Sequence, residues 1–195
     1  GEAHCFDPNT EKYWSVQALK GDKNGAFPVE KIIVKPSGKV WLNSVTDGCV
    51  LIADENKTVQ FFNIENGTIR TNKITDIYED KQLNSWLLTN NGLYQLSNKG
   101  KTTNFFVENE NKNDKDKQSF FSACDIGKQI WFGSEDGRIW KFDKAKASFE
   151  LLNTALVSNI IEIKQIDPEH LLLVSEKTGF IVHNTKTGDN KVYPQ

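Results

Sequence analysis

The sequence predicts an all-β protein assembled from one repeated four-stranded unit. A short motif recurs at spacings of 41 to 45 residues along the chain. Runs of β-branched and aromatic residues alternate with turn-forming residues inside each period, and no segment keeps the periodicity and end caps of a helix. Because a period of about 40 to 50 residues containing four short strands is typical of β-propeller blades, we predict blades of four antiparallel strands.

The recurring motif is a large apolar residue, a hydroxyl residue three places later and then a glycine. We expect each glycine to occupy a tight turn with positive φ, which glycine adopts at little cost. A binding site rarely repeats its largest residue in every period, so we predict that the anchor tryptophans Trp41, Trp86 and Trp131 fill the core. The hydroxyl residues are Ser44, Thr89, Ser134 and Ser175, and the glycines are Gly48, Gly92, Gly137 and Gly179.

The repeat also predicts the domain organisation. Each glycine is followed 12 or 13 residues later by an apolar residue of the fourth strand, and Tyr13 follows Gly1 at the same spacing. The chain should therefore begin inside a blade, at its third strand. About four and a half blades form an incomplete propeller in one domain, whose exposed blade faces should be apolar and favour a homodimer. The predicted boundaries are 1–16 for the half-blade and 29–64, 72–107, 118–153 and 158–193 for the blades.

Composition and charge exclude several classes of protein. The net charge is −2 and only Arg70 and Arg138 are arginines, so the basic cluster of a nucleic-acid-binding protein is missing. The three cysteines are far apart, which excludes a sequence-local zinc or redox motif, and Cys49 and Cys124 are expected to be buried. The chain contains no Met, so we expect an excerpt of a longer protein, with any membrane anchor outside it.

The second repeat resembles a known family. Its sequence Ile77-Tyr-Glu-Asp80, followed by Trp86-Leu-Leu-Thr-Asn-Asn-Gly-Leu-Tyr-Gln-Leu96, is similar to the two-component regulator propeller repeat, and residues 131–143 are nearly as similar. The first and fourth repeats depart, with Cys49 near the family's Gly-Leu-Tyr and Leu172 in place of its Trp. The resemblance, which covers almost the whole chain, implies the periplasmic sensor region of a bacterial hybrid two-component system.

The same resemblance implies a function. In that family, propellers precede a membrane helix and a cytoplasmic kinase, and many members detect oligosaccharides and then control gene expression. It implies an oligosaccharide ligand, no catalytic activity in this part of the protein and a membrane anchor elsewhere in the full-length protein. Two alternatives stay open: a scaffold propeller that binds another protein, and a propeller enzyme that cleaves glycans.

Candidate ligand-binding residues lie where propellers bring loops to one face. The turns from the second to the third strand share this face with the inter-blade loops 20–28, 63–73 and 108–118. Polar turn residues could bind sugar hydroxyls and aromatic rings could stack on sugars. Turn residues also serve their own backbone, and Trp140 shares its repeat position with Tyr94, which equally suits a core residue. The candidates are Trp14, Asp47, Asn90, Asn91, Glu135, Asp136, Trp140, Glu176 and Lys177.

No catalytic, metal or cofactor site is predicted. The histidines His4, His170 and His183 have no second ligand at a metal-binding spacing, and the motifs of nucleophile elbows, phosphate loops and zincin helices are missing. The segment 108–118, which alternates in charge and is rich in Asn, lacks the glycine of a calcium-binding EF-hand loop. Two carboxylates could still converge across blades, as in glycoside hydrolysis, which the sequence alone does not test.

Overall fold

The computed structural model describes residues 4–15, 27–52, 59–105, 118–152 and 158–194. These residues form eighteen β-strands, arranged as one two-stranded hairpin and four four-stranded sheets. The chain divides into two compact units, Gly1–Ile74 and Thr75–Gln195. No helix in the described ranges is long and apolar enough to cross a membrane.

The first unit contains the hairpin and the first blade. Both are antiparallel, and the strands of the blade pair in chain order. Phe27, Leu42 and Val50 form the core of this blade, and the Trp41 ring packs on Phe62 with centroids 5.4 Å apart. The hairpin strands are β1 (His4–Asp7) and β2 (Lys12–Ser15), and the blade strands are β3 (Lys31–Val34), β4 (Val40–Asn43), β5 (Cys49–Ile52) and β6 (Val59–Phe62).

The second, third and fourth blades follow the first blade in the chain. Each is a four-stranded sheet whose neighbouring strands are consecutive in the chain. This arrangement confirms the predicted all-β blades. The second blade is β7 (Ile74–Glu79), β8 (Ser85–Thr89), β9 (Gly92–Leu96) and β10 (Thr102–Phe105); the third is β11 (Phe120–Asp125), β12 (Gln129–Ser134), β13 (Ile139–Asp143) and β14 (Ser148–Leu152); the fourth is β15 (Ile160–Gln165), β16 (His170–Ser175), β17 (Gly179–Asn184) and β18 (Asn190–Tyr193).

Two hydrophobic clusters hold the blades of the second unit together. An aromatic cluster joins the second and third blades around Trp86, whose ring centroid lies 4.9 Å from that of Phe142 and 5.3 Å from that of Phe132. A more aliphatic cluster joins the third and fourth blades around Trp131. Trp41, Trp86 and Trp131 are at most 2% exposed, which confirms that the repeated anchors are core residues.

In the first three blades, the repeated hydroxyl and glycine fix the turn between the second and the third strand. In the second blade, Thr89 Oγ1 accepts a hydrogen bond from the N–H of Asn91 at 3.0 Å and donates one to the carbonyl of Gly92 at 2.8 Å. The hydroxyls of Ser44 and Ser134 accept hydrogen bonds from backbone N–H groups of their own turns at 3.1 Å. The four repeated glycines have φ between 79° and 93°, which confirms the predicted positive φ.

Candidate functional site

The turns of the second unit meet the starts of its blades at one end of the sheets. The N–H of Gly92 donates to the carbonyl of Gln118 at 3.0 Å, and the N–H of Glu135 donates to the carbonyl of Ser119 at 3.0 Å. One blade further on, the N–H of Glu176 donates to the carbonyl of Asn159 at 3.4 Å. We call residues 90–91, 118–119, 135–136, 158–159 and 176–177 the turn face. It contains six of the nine candidate ligand residues.

Asp136 is fixed by contacts within the protein. Its Oδ1 accepts hydrogen bonds from the hydroxyl of Ser134 at 2.6 Å and from Nε2 of Gln118 at 3.0 Å. Its Oδ2 lies 3.1 Å from Nε of Arg138. Since both carboxylate oxygens already have partners, Asp136 orients Gln118 and Arg138 more than it offers a free acceptor.

Gln118 is the most buried polar side chain at the turn face. It is 5% exposed, and its Oε1 has no hydrogen-bond partner among the described residues. Its backbone carbonyl and its side-chain Nε2 connect the second blade to the turn that carries Asp136. The sequence places it at the end of the loop 108–118, but only the structure reveals this bridging contact.

Glu176 and Asn90 also have partners. Oε2 of Glu176 accepts a hydrogen bond from Nδ2 of Asn159 at 2.8 Å, which ties this turn to the start of the fourth blade. The carbonyl of Asn90 accepts a longer bond of 3.4 Å from the hydroxyl of Ser119. Both residues are exposed, so a ligand could still reach their outer atoms.

Three candidates keep side chains without a hydrogen bond or ion pair among the described residues. They are the half-buried amide of Asn91, the exposed carboxylate of Glu135 and the exposed ammonium of Lys177. Together they offer both donors and acceptors from three successive turns. Hydroxyl-rich ligands are bound through such mixed donors and acceptors, so these side chains are the best candidates for direct ligand contact.

The other three candidates lie elsewhere. Trp140 is 6% exposed and belongs to the aromatic cluster between the second and third blades. Asp47 lies in the β4–β5 turn of the first unit, where its N–H donates to Ser44 Oγ at 3.1 Å. Trp14 pairs with Cys5 in the hairpin, and its side chain is outside the described residues. The loop segments 20–26 and 108–117 are outside them too.

The loop 63–73 of the first unit uses its polar groups internally. Oδ1 of Asn72 accepts a hydrogen bond from the N–H of Ile64 at 2.8 Å, and Oγ1 of Thr68 accepts one from the N–H of Asn63 at 3.0 Å. Ile69, which belongs to this loop, is only 2% exposed. These contacts give the loop a defined shape.

A buried cluster of polar groups lies at the other end of the second and third blades. Lys144 Nζ lies 2.6 Å from Oδ2 of Asp125, which also accepts a hydrogen bond from the N–H of Lys81 at 2.8 Å. The hydroxyl of Tyr78 accepts a hydrogen bond from the N–H of Asp125 at 2.8 Å, and burial raises the pKa of Tyr78 to about 12. These contacts join residues of the second blade to residues of the third, so the cluster connects the two blades.

Neither a metal centre nor a reactive thiol emerges from the part of the chain described. No three His, Cys, Asp or Glu side chains in these ranges are grouped as ligands for a metal ion. Cys49 is buried and Cys124 is half-buried, and burial raises the pKa of both thiols. Since the thiolate is the reactive form, both cysteines behave as small apolar residues.

Comparison with known proteins adds to this geometry. The sequence matches no protein-family model and no curated protein. Its structure matches the extracellular domain of BT4673 from B. thetaiotaomicron, which is described as a hybrid two-component system, with a TM-score of 0.72 and 14% identity over 95% of this chain and 24% of that one. The extracellular domain of BT3049, from the same organism and similarly described, gives a TM-score of 0.66 and 16% identity over 98% and 25%.

An enzyme has the same fold. Virginiamycin B lyase from Staphylococcus aureus matches with a TM-score of 0.67 and 14% identity, over 88% of this chain and 57% of that one. At such identities the likeness establishes the fold, that of a β-propeller, and nothing further. The chain spans about a quarter of the length of the two extracellular domains.

Proposed function

We propose that this chain is a ligand-sensing propeller from the periplasmic part of a hybrid two-component sensor. In this proposal it recognises an oligosaccharide and signals to a cytoplasmic kinase that controls gene expression. The observation that carries the proposal is the match of nearly the whole chain to the extracellular domains of BT4673 and BT3049. The motif around Trp86, which resembles the two-component regulator repeat, supports it independently.

The chemistry of the turn face supports a polar, hydroxyl-bearing ligand. Asn91, Glu135 and Lys177 present an amide, a carboxylate and an ammonium group from three neighbouring blades. The aromatic rings of the second unit's core are buried, so sugar hydroxyls, more than sugar faces, would be recognised there. Backbone hydrogen bonds fix each of these turns, so little backbone conformational entropy would be lost on binding.

The test is a thermal-shift screen of this chain against a library of oligosaccharides. A ligand that binds only the folded state stabilises it by RT ln(1 + [L]/Kd). We expect one glycan class to raise the melting temperature, while chromatography of the same mixtures detects no product. If no class shifts the melting temperature and titration calorimetry also detects no binding, the proposal is wrong for this chain.

Point variants locate the site. We expect Glu135→Gln and Lys177→Gln each to weaken binding about tenfold, because each removes a charge-assisted hydrogen bond to the ligand. Neither side chain has a partner among the described residues, so the melting temperature without ligand should not change. Lys99→Gln is the matched control, since Lys99 is exposed in the β9–β10 turn at the other end of the second blade.

The structural match to virginiamycin B lyase favours an enzyme as the second candidate. A lyase or glycosidase would convert the glycan, and products would accumulate in the same mixtures. Stabilisation without products supports the sensor, whereas products that disappear in Glu135→Gln would support the enzyme. A scaffold propeller, whose partner is another protein, would neither bind a glycan nor convert one.

A further inference from the structure

Six lysines and three carboxylates lie at the end of the second and third blades that is opposite the turn face. The N–H of Asn98 donates to Oδ1 of Asn84 at 3.1 Å, and the N–H of Lys144 donates to the carbonyl of Lys128 at 3.1 Å. Lys144 Nζ also reaches Oε1 of Gln82 in the neighbouring blade. The four turns at this end therefore form one surface. We call it the basic end, and it consists of residues 80–84, 97–101, 125–128 and 143–147.

The carboxylates of the basic end are occupied by contacts within the protein. Asp80 is 3% exposed and accepts the indole hydrogen bond of Trp86 at 3.0 Å. Asp125 is 4% exposed and pairs with Lys144 at 2.6 Å, while Asp143 accepts hydrogen bonds from two backbone N–H groups of its own turn. The remaining lysines are exposed and have no salt bridge among the described residues: Lys81, Lys99, Lys101, Lys128 and Lys146.

The two ends of these blades differ in charge. The parts of the turn face that belong to the second and third blades are residues 90–91, 118–119 and 135–136, which include Glu135 and Asp136 and no lysine. The blades are therefore polarised along their strands. An anionic surface would attract the basic end and leave the turn face directed away from it.

Leu83, in the middle of the basic end, is an exposed apolar residue with a strained backbone. It is 46% exposed, and its φ is 63°, a value that bulky side chains rarely adopt. Gly38 and Gly100 occupy the same place in two turns with the same backbone hydrogen bonds, and their φ values are 85° and 83°. Glycine fits this place without strain, so packing and backbone conformation do not account for a half-exposed leucine. An outlier of this kind points to a role in binding.

We propose that the basic end binds the surface of an anionic lipid membrane. Lysine ammonium groups attract phosphate headgroups without requiring a fixed geometry, and Leu83 can insert at the boundary between headgroups and acyl chains. Protein interfaces are usually centred on aromatic residues or arginine, and single-stranded nucleic acids are bound by aromatic stacking. The basic end contains no aromatic residue and no arginine, which favours a lipid surface over either of these partners.

The binding should be weak, reversible and sensitive to salt. Each lysine near an anionic membrane raises the affinity about fivefold, and salt screens this attraction over about 10 Å at 0.1 M. The proposal does not depend on the proposed function, because the basic end and the turn face share no residue. Loss of membrane binding would therefore leave glycan binding at the turn face unchanged.

Co-sedimentation with lipid vesicles tests the proposal. We expect the chain to bind phosphatidylcholine vesicles that contain about a quarter phosphatidylglycerol, and not to bind vesicles of phosphatidylcholine alone. Lys81→Gln and Lys128→Gln should each weaken binding about fivefold, and about 0.5 M sodium chloride should weaken it further. Leu83→Gly should weaken binding about tenfold. It should not lower the melting temperature, because glycine adopts this backbone conformation readily.

Lys164→Gln is the matched control, since it removes the same charge from β15 of the fourth blade, outside the basic end. Its affinity for the vesicles should equal that of the wild type. A loss in Lys164→Gln as large as in Lys81→Gln would overturn the proposal, because net charge alone would then explain the binding. Equal binding to both kinds of vesicle, or to neither, would also overturn it. Retention on immobilised polyglutamate without binding to vesicles would instead assign this surface to an acidic protein.

Discussion

Trp41, Trp86 and Trp131 occupy one repeat position, yet their indole N–H groups are satisfied differently. Nε1 of Trp86 donates to Oδ2 of Asp80 at 3.0 Å, and Nε1 of Trp131 donates to Oε1 of Gln129 at 3.3 Å. Nε1 of Trp41 is buried and has no partner among the described residues. Lys35 stands where Asp80 stands in the next repeat, six residues before the tryptophan. The first blade therefore lacks the carboxylate that accepts the indole hydrogen bond in the second blade.

Replacing Lys35 with aspartate should stabilise the first unit. The backbone bonds of the two turns are equivalent, with Lys35 N to Lys39 O at 2.9 Å and Asp80 N to Asn84 O at 3.0 Å. Lys35→Asp should therefore raise the free energy of unfolding by about 1 kcal/mol, the net value of one hydrogen bond. Urea denaturation measures the free energy of unfolding, and Lys35→Ala is the control that supplies no hydrogen-bond acceptor. Equal stability of the two variants would contradict the explanation.

Gly48 is required by both conformation and space. Its φ is 81°, and a Cβ at this position would lie 2.1 Å from the carbonyl oxygen of Phe62. Gly48→Ala should therefore cost roughly 3 kcal/mol of unfolding free energy or more. Gly38→Ala, where φ is 85° and a Cβ meets nothing within 4 Å, should cost only about 1 kcal/mol for the left-handed backbone. Thermal and urea denaturation of the pair separate the two contributions, and equal losses would contradict the steric argument.

At the scale of the strands, neighbouring blades are joined by polar contacts as well as by apolar packing. Lys144, which follows β13, reaches both Asp125 at the end of β11 and Oε1 of Gln82, in the β7–β8 turn of the second blade. The side chains of Asp125 and Lys144 are 1% and 17% exposed. A buried pair of this kind is costly to break on one side, because the remaining charge loses its partner.

The Asp125–Lys144 pair should therefore show strong coupling. We expect Lys144→Met to lower the free energy of unfolding by about 3 kcal/mol, and the double variant D125N/K144M to recover part of that loss. Lys186→Met is the control: Lys186 lies 2.6 Å from Glu169 in a mostly exposed ion pair, and its loss should cost at most about 1 kcal/mol. Additive effects in the Asp125–Lys144 double-mutant cycle would show that the pair is not coupled.

His183 makes the packing of the third and fourth blades sensitive to acid. Its ring centroid lies 5.3 Å from that of Trp131, and its Nδ1 lies 2.9 Å from Oδ1 of Asn190. Burial lowers the pKa of His183 below the ordinary 6.5, and Lys141 acts in the same direction. Among the described residues, the bond to Asn190 and the charge of Asp189 act in the opposite direction. The folded state therefore favours the neutral ring.

Stability should fall as the pH is lowered below 6.5. In that range the unfolded chain binds a proton at His183 before the folded chain does, so unfolding takes up protons and becomes easier. Above the unfolded pKa the contribution of the neutral ring is complete. Melting temperatures between pH 5 and pH 7.5 should decline less steeply in His183→Gln than in the wild type. A wild-type slope in His183→Gln would refute the assignment.

At the scale of the molecule, the blades of the second unit are not equally protected. The third blade packs on both of its faces, through the aromatic cluster on one side and the aliphatic cluster on the other. Among the described residues, the fourth blade packs against the third blade on one face, and all four residues of β18 are exposed. In repeat proteins stability depends on contacts between neighbours, so opening should begin in the fourth blade.

Hydrogen exchange detected by mass spectrometry can verify this order. Amides of β12 should exchange most slowly and those of β18 most quickly, because local opening costs least where few apolar contacts are lost. Equal protection of β12 and β18 at low concentration would contradict this order of opening.

The sequence predicts the framework better than the contacts of individual side chains. The hydroxyl and glycine motif predicts the blades, the buried tryptophans and the positive φ of Gly137, because these depend on residues close in sequence. It does not reveal that Asp136 holds Gln118, 18 residues away, or that Asp125 holds Lys144. Strand pairing and blade packing create these contacts. Only the structure therefore shows that the Asp136 carboxylate has partners within the protein, whereas the side chains of Glu135 and Lys177 have none among the described residues.

The repeated hydroxyl and glycine have a consequence for how this molecule can change. In the first three blades they hold the two ends of the turn, while residues between them, such as Asn90 and Glu135, contribute few of the bonds that keep the turn in shape. Within each such turn, the residues that maintain the fold are therefore different from the residues that could contact a ligand. A lineage of such proteins could exchange one ligand for another by substituting the middle of each turn, and inherit its fold unaltered.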